Sequence, residues 1–221
     1  MSRQLPLHPS APDDYPALLT GIDAWQAQAQ ARHPDVIPCR AGCSACCHGP
    51  FDISAADALL VRDAVRGLPP GIRAEVRRKA EAQVGGMQRI EPELAAPWDI
   101  TRLGEEAFDG LVEAFAEAPC PALDDAGTCR IYQQRPMICR MMGLGLETPD
   151  GHVIENACPI QGEFPEYESL EPQRFDLDGW EDAEAEALVH AALALFGSAD
   201  ESGYETTVAG AILLDGPDTV S

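Results

Sequence analysis

The chain of 221 residues carries 15 Lys+Arg against 37 Asp+Glu, a formal net charge of -22, together with eight cysteines. That length buries an ordinary hydrophobic core without covalent staples, so the cysteines are not needed to hold a mini-protein together. The acidic excess repels a phosphate backbone and an anionic membrane surface, which removes nucleic acid and lipid headgroups from the expected partners.

Taken in chain order, Met1 to Tyr15 contains Pro6, Pro9 and Pro12 and no apolar core of a secretory signal, so the expected compartment is a reducing cytoplasm. From Asp13 to about Ala31, the residues Leu18, Leu19, Ile22, Trp25 and Ala29 recur at helical spacing, with Asp13 or Asp14 as N-cap and Pro34 closing the segment. After a dense run of cysteines, His48-Gly49-Pro50 breaks any helix. Ser54 and Asp57 then offer a capping box for a helix through Leu59, Leu60, Val61 and Val65 that ends near Gly67. Pro69-Pro70-Gly71 predicts a turn, and Ile72 to Gln83 predicts a helix whose Arg73, Arg77, Arg78 and Lys79 form a solvated face. Gly85 to Trp98 reads as a loop. Glu105 to Ala118 reads as a helix with Phe108, Leu111, Val112 and Phe115 on one face.

Beyond the second cysteine group, a strongly acidic stretch from Glu163 to Glu186 leads into a helix that starts at Asp178 or Asp182. It carries Leu188, Val189, Ala192, Leu195 and Phe196 and ends at Gly197. Thr206 to Leu214 fits a strand or a helix. No apolar run reaches the length of a membrane-spanning helix, and no alternation of strands and helices points to a parallel sheet. The expected fold is mainly α: a compact helical domain organised around a cysteine-ligated metal site, with irregular loops and little β. Within one domain, residues 1–34 supply a packing helix, 35–160 the cysteine core and 161–221 an acidic helical extension.

Cys39, Cys43, Cys46 and Cys47 fall within nine residues, and Cys120, Cys129, Cys139 and Cys158 follow after a gap of more than seventy. Thiolates this crowded repel and oxidise unless a metal or a disulfide holds them, and a reducing compartment favours the metal. If the first stretch is helical, its four cysteines stand along one face; if it is a loop, Gly42, Ser44 and Ala45 let the backbone wrap round a centre. Neighbouring side chains such as Cys46 and Cys47 diverge in regular structure, so one of the two is expected to bind a second ion, bridge two ions or stay unliganded. Arg130, Arg135 and Arg140 flank the second group. Guanidinium donors near thiolates offset the negative charge of a tetrathiolate site, which places these three around the ligands. His48 adjoins the cluster, whereas His33, His152 and His190 have no such setting.

The pattern C-x3-C-x2-C-C, followed by C-P-x-L, C-x-I-Y-x-x-R-P and C-R, resembles the YkgJ-type cysteine-cluster family, the zinc- or iron-chelating CxxCxxCC domain. The likeness runs from Cys39 to Cys158. It implies a protein that binds iron, as in a [4Fe-4S] cluster, or zinc, and acts in metal handling or redox sensing. A related cysteine cluster occurs in flagellin lysine N-methylase, so a metal-dependent enzyme is one alternative, and a structural metal domain that mediates a protein contact is another. No acid, base or cosubstrate motif accompanies the cysteines, so the reading leans away from an enzyme. The spread of Cys39, Cys43 and Cys46 favours three corners of a cubane over a zinc knuckle of C-x2-C type.

Overall fold

Helices dominate this chain because most of its apolar residues recur every three or four positions. The computed structural model describes residues 14–40, 42–175 and 179–214. Helix α1 (Asp14–Arg32) buries Leu18, Leu19, Ile22, Trp25 and Ala29, the stripe its spacing predicts. Asp13 lies outside the described residues. A short strand, β1 (Asp52–Ser54), leads into α2 (Ala55–Arg66), the centre of the fold. Its Ala55, Ala58 and Val61 are fully buried, and small side chains here let neighbouring helices approach closely. Ser54 caps α2 by accepting from the Asp57 backbone N–H at 3.3 Å. Asp57 does not reach back to complete a capping box, because its carboxylate is engaged elsewhere.

Helix α3 runs over Pro70–Ile90, with Pro70 in the first turn where its missing N–H costs nothing. This corrects the expected loop from Gly85: Val84 and Met87 continue the buried stripe of Val76 and Ala80, so the helix extends about two turns beyond Gln83, to Ile90. Gly86 is required there, since an added Cβ would lie 2.9 Å from the Phe115 ring. Nor is the basic face wholly solvated. Arg77 is buried and donates to the Ile212 carbonyl at 3.0 Å, while Lys79 donates to the Leu123 carbonyl at 2.8 Å. Helix α4 (Glu105–Ala114) buries Leu111 but leaves Val112 exposed, against the expected single apolar face.

The second half of the chain contains α5 (Met137–Met141), β2 (Leu146–Glu147), β3 (Val153–Ile154), α6 (Pro165–Glu168) and β4 (Gln173–Arg174). Strand β2 is central, antiparallel to β3 and parallel to β4. Helix α7 (Trp180–Phe196) is entered through Gly179 and left through Gly197, both left-handed, with φ of 73° and 74°. Asp182 therefore sits in the first turn and is not the cap, Asp178 lies outside the described residues, and Val189 is exposed. The tail is both strand and helix. Strand β5 (Glu205–Thr207) pairs antiparallel with β1, and α8 (Val208–Ile212) follows at once, capped by Thr207, which accepts from the Gly210 N–H at 3.1 Å. Helix α8 is buried throughout and packs against α2 and α3, with Gly210 closed in by Thr206 and Trp98. Among the described residues, no helix is long and apolar enough to cross a membrane.

Asp57 joins three elements. It is almost fully buried and accepts from the Tyr15 hydroxyl at 2.8 Å and from the Met137 N–H at 2.9 Å, tying α1 and α2 to the start of α5. Burial pushes its carboxyl up to about 6, opposed by those two hydrogen bonds. A folded carboxyl raised above its unfolded value favours the folded state while it keeps its proton. That contribution is lost as pH rises from about 4 to about 6. Asp57→Asn keeps an oxygen acceptor and removes the buried charge, so its stability is expected to match or exceed that of the unmodified chain at neutral pH. Asp57→Ala strands two buried donors and is expected to cost about 2–4 kcal/mol. Urea unfolding at acid and neutral pH checks both.

Candidate metal centre

The Cys39–Cys47 stretch is a loop of consecutive turns and not a helix. The Cys43 N–H donates to the Arg40 carbonyl at 2.9 Å and the Cys47 N–H to the Ser44 carbonyl at 3.0 Å, and Gly42 reverses the chain at φ 91°. Backbone then joins this loop to the second cysteine segment. The Cys120 N–H donates to the Cys47 carbonyl at 2.9 Å, the Gly49 N–H to the Ala118 carbonyl at 2.8 Å, and His48 and Pro119 form an antiparallel bridge. Two cysteine groups far apart in sequence thus begin on adjoining backbone.

Between Cys120 and Cys129 the chain folds back as a tight knuckle. Asp124 Oδ1 accepts from the N–H groups of Ala126 at 2.9 Å and Thr128 at 2.8 Å, and the Arg130 N–H donates to the Ala122 carbonyl at 2.8 Å. Gly127 completes the turn at φ 77°, and a Cβ there would sit 3.0 Å from Ser44 Oγ in the first loop. Helix α5, started by Asp57, then delivers Cys139.

Seven of the eight cysteines line one cavity of about 310 Å³: Cys39, Cys43, Cys46, Cys47, Cys120, Cys129 and Cys139. Cys158 does not line it. It is buried, its N–H donates to Asn156 Oδ1 at 3.0 Å, and its thiol interacts with Cys39 and Tyr167. The Tyr167 hydroxyl donates to the Gly143 carbonyl at 2.6 Å, and Gly143, at φ 93°, lies so close that an added Cβ would be 3.3 Å from Cys39 Cβ. All eight cysteines are free thiols. Among the described residues, no three His, Cys, Asp or Glu side chains are grouped closely enough to hold an ion. Backbone gathers the cysteines around one space, in which the Cys46 and Cys47 side chains hydrogen-bond to each other.

Electrostatics in that space favour protonated thiols. Burial, followed by the charges of Cys46, Cys43 and Cys158, pushes Cys39 up to about 11, with Arg135 opposing. Burial pushes Cys120 up to about 12 and also raises Cys129 and Cys139. Cys46 is raised first by its hydrogen bond with Cys47 and then by burial.

The three arginines divide their work. Arg135 lines the cavity, lies 4.3 Å from the Tyr132 ring centroid and pairs with Asp23 at 2.7 Å. Arg140 is buried. It pairs with Asp23 and donates to the Arg135 carbonyl at 3.0 Å and the Gln133 carbonyl at 2.6 Å, so it braces backbone. Arg130 turns back to Asp124 at 3.4 Å. Arg40, which sequence reasoning passed over, also lines the cavity. His48 is exposed, and neither it nor His33, His152 or His190 lines the cavity. Asp23 was equally unmarked in the sequence, being one of 37 acidic residues with no motif around it.

No curated protein and no solved structure matches the chain. The sequence model of one family, CxxCxxCC, described as a "Putative zinc- or iron-chelating domain", matches residues 38–159. That segment is more than half of the chain and contains all eight cysteines and the whole of both joined loops. The chain therefore belongs to the CxxCxxCC family.

Proposed function

We propose that the chain binds zinc or iron through its cysteines and serves in metal handling or redox sensing. The observation that carries this reading is the single cavity lined by seven free thiols drawn from two segments more than seventy residues apart. The donor set fits the group. Thiolate is the ligand of choice for zinc and for iron–sulfur clusters, and seven thiols exceed what one closed tetrahedral site takes. Cys39, Cys43 and Cys46 from the first loop and Cys120, Cys129 and Cys139 from the second would hold the metal, with Cys47 as a further donor at the junction. Cys158, behind Cys39, is the remaining thiol within reach of the first loop.

The chain's own residues then have distinct tasks. Rotation of the thiols about their Cα–Cβ bonds, on backbone already in place, brings donors together and displaces their protons. Arg135 places a cation at the wall, where it offsets the negative charge of assembled thiolates. Iron–sulfur chemistry is favoured over zinc by the spread of the first three cysteines and by the loop that presents them. Anaerobic purification with elemental analysis and an absorption spectrum tests the choice. Iron with sulfide and a visible absorption band that oxidation bleaches supports the cluster, and colourless protein with stoichiometric zinc overturns it in favour of zinc. The metal-dependent enzyme stays the second reading.

A further inference from the structure

Helix α1 precedes the segment that defines the family, yet its side chains reach both cysteine segments, at Cys39 and around α5. Asp23, Gln26 and Gln30 stand at i, i+3 and i+7, so they share one face of the helix, while Ile22, Trp25 and Ala29 are buried in the core. Each of the three reaches a different part of the centre. Asp23 takes Arg135 at 2.7 Å through one carboxylate oxygen and Arg140 through the other. The Gln26 amide donates to the Met142 carbonyl at 3.0 Å, just past α5, and the Gln30 amide donates to the Cys39 carbonyl at 3.1 Å. Gln26 also lines the cavity.

Together these bonds fix the segment from Tyr132 to Met142, which carries Cys139, against the backbone of Cys39. Arg140 cannot supply the connection alone, because its guanidinium is spent on Asp23 and on two carbonyls of its own segment. Among the described residues, no side-chain hydrogen bond joins the first loop to α5 itself, and α1 is the strap across them.

From this arrangement we infer that α1 is a positioning element of the metal centre, with Asp23, Gln26 and Gln30 holding Cys39 and Cys139 in register and so controlling how fast bound metal is released. The inference rests on the metal-binding reading above. Groups that orient ligands from outside the coordination shell typically change metal affinity about 10–100-fold when removed. Asp23 is the strongest of the three, since one carboxylate orders two guanidinium groups, one of them on the cavity wall.

The test loads the anaerobically purified full chain with Zn²⁺ and follows its transfer to a chromogenic chelator. Asp23→Asn and the pair Gln26→Ala with Gln30→Ala are each expected to release zinc about 10–100-fold faster than the unmodified chain. Asp23→Glu is expected to restore slow release, and Gln28→Ala, on the exposed side of α1, to leave it unchanged. Leu18→Val lowers thermal stability through the core of the same helix and is expected to release zinc at the unmodified rate under native conditions. That result separates positioning from general loosening. If Asp23→Asn does not fold, the glutamine pair decides. Unchanged release in the folded variants overturns the inference, as does equal acceleration by Leu18→Val. A chain that takes up neither Zn²⁺ nor iron with sulfide instead overturns the metal-binding reading on which the inference stands.

Discussion

Cys139→Ser is expected to lose bound metal and to unfold about 10 °C or more below the unmodified chain. Serine removes the thiol that α5 delivers to the cavity, where Cys139 stands with Cys120 and Cys129. If the two loops share a metal, binding closes a chain segment of more than seventy residues, and its free energy becomes folding free energy. For a chain of this size each kcal/mol lost at the midpoint moves it by roughly 2–4 °C, so forfeiting a few kcal/mol of linked binding produces that shift. The alternative is a buried thiol that merely packs, for which the cost is a local defect near 1 kcal/mol or less. Thermal unfolding of holo and chelator-treated protein, unmodified and variant, separates them. The two chelated samples should melt nearly together if the metal carries the difference.

Arg140→Ala is expected to destabilise by about 3–5 kcal/mol whatever the metal content. The residue is 4% exposed, and its guanidinium satisfies Asp23, the Arg135 carbonyl and the Gln133 carbonyl at once. Truncation leaves the Arg135 and Gln133 carbonyls unpaired, and Asp23 with Arg135 as its remaining guanidinium, beside a cavity in the protein interior. Arg140→Lys should recover little, because one ammonium cannot reproduce a planar fork directed at three acceptors. Denaturant unfolding of metal-free protein measures this effect apart from the first. A loss below 1 kcal/mol would contradict the bracing role.

The sequence made the helices legible where burial repeats along them. Leu18, Leu19, Ile22, Trp25 and Ala29 announced α1. It misled where long-range packing overrode local signals. Gly85 and Gly86 look like a helix end, but Gly86 is there to admit the Phe115 ring, and α3 passes through. The arginines on α3 look like a solvated face, yet Arg77 caps the end of α8, a helix too short to be read alone. Thr206 to Leu214 was ambiguous because it is the last two residues of a strand followed by five of a helix.

For the centre, cysteine spacing named the thiols, and the structure brings seven of them to one cavity with Cys158 set behind Cys39. It said nothing of Asp23, Gln26 and Gln30. Asp23 and Gln26 act on chain more than a hundred residues later, and Gln30 reaches the Cys39 carbonyl across a turn, contacts that no local pattern encodes. The three flanking arginines were visible by position, but which faces the cavity and which braces backbone depended on where Asp23 stands.

The most direct test of a single centre built from both loops is metal per chain in Cys43→Ser and in Cys129→Ser, each purified anaerobically and set against the unmodified protein. The account predicts bound zinc or iron in the unmodified chain and a marked loss of it in both variants, one altered in the first loop and one in the second. Full stoichiometry in either variant, or a folded unmodified chain with no metal, would contradict it.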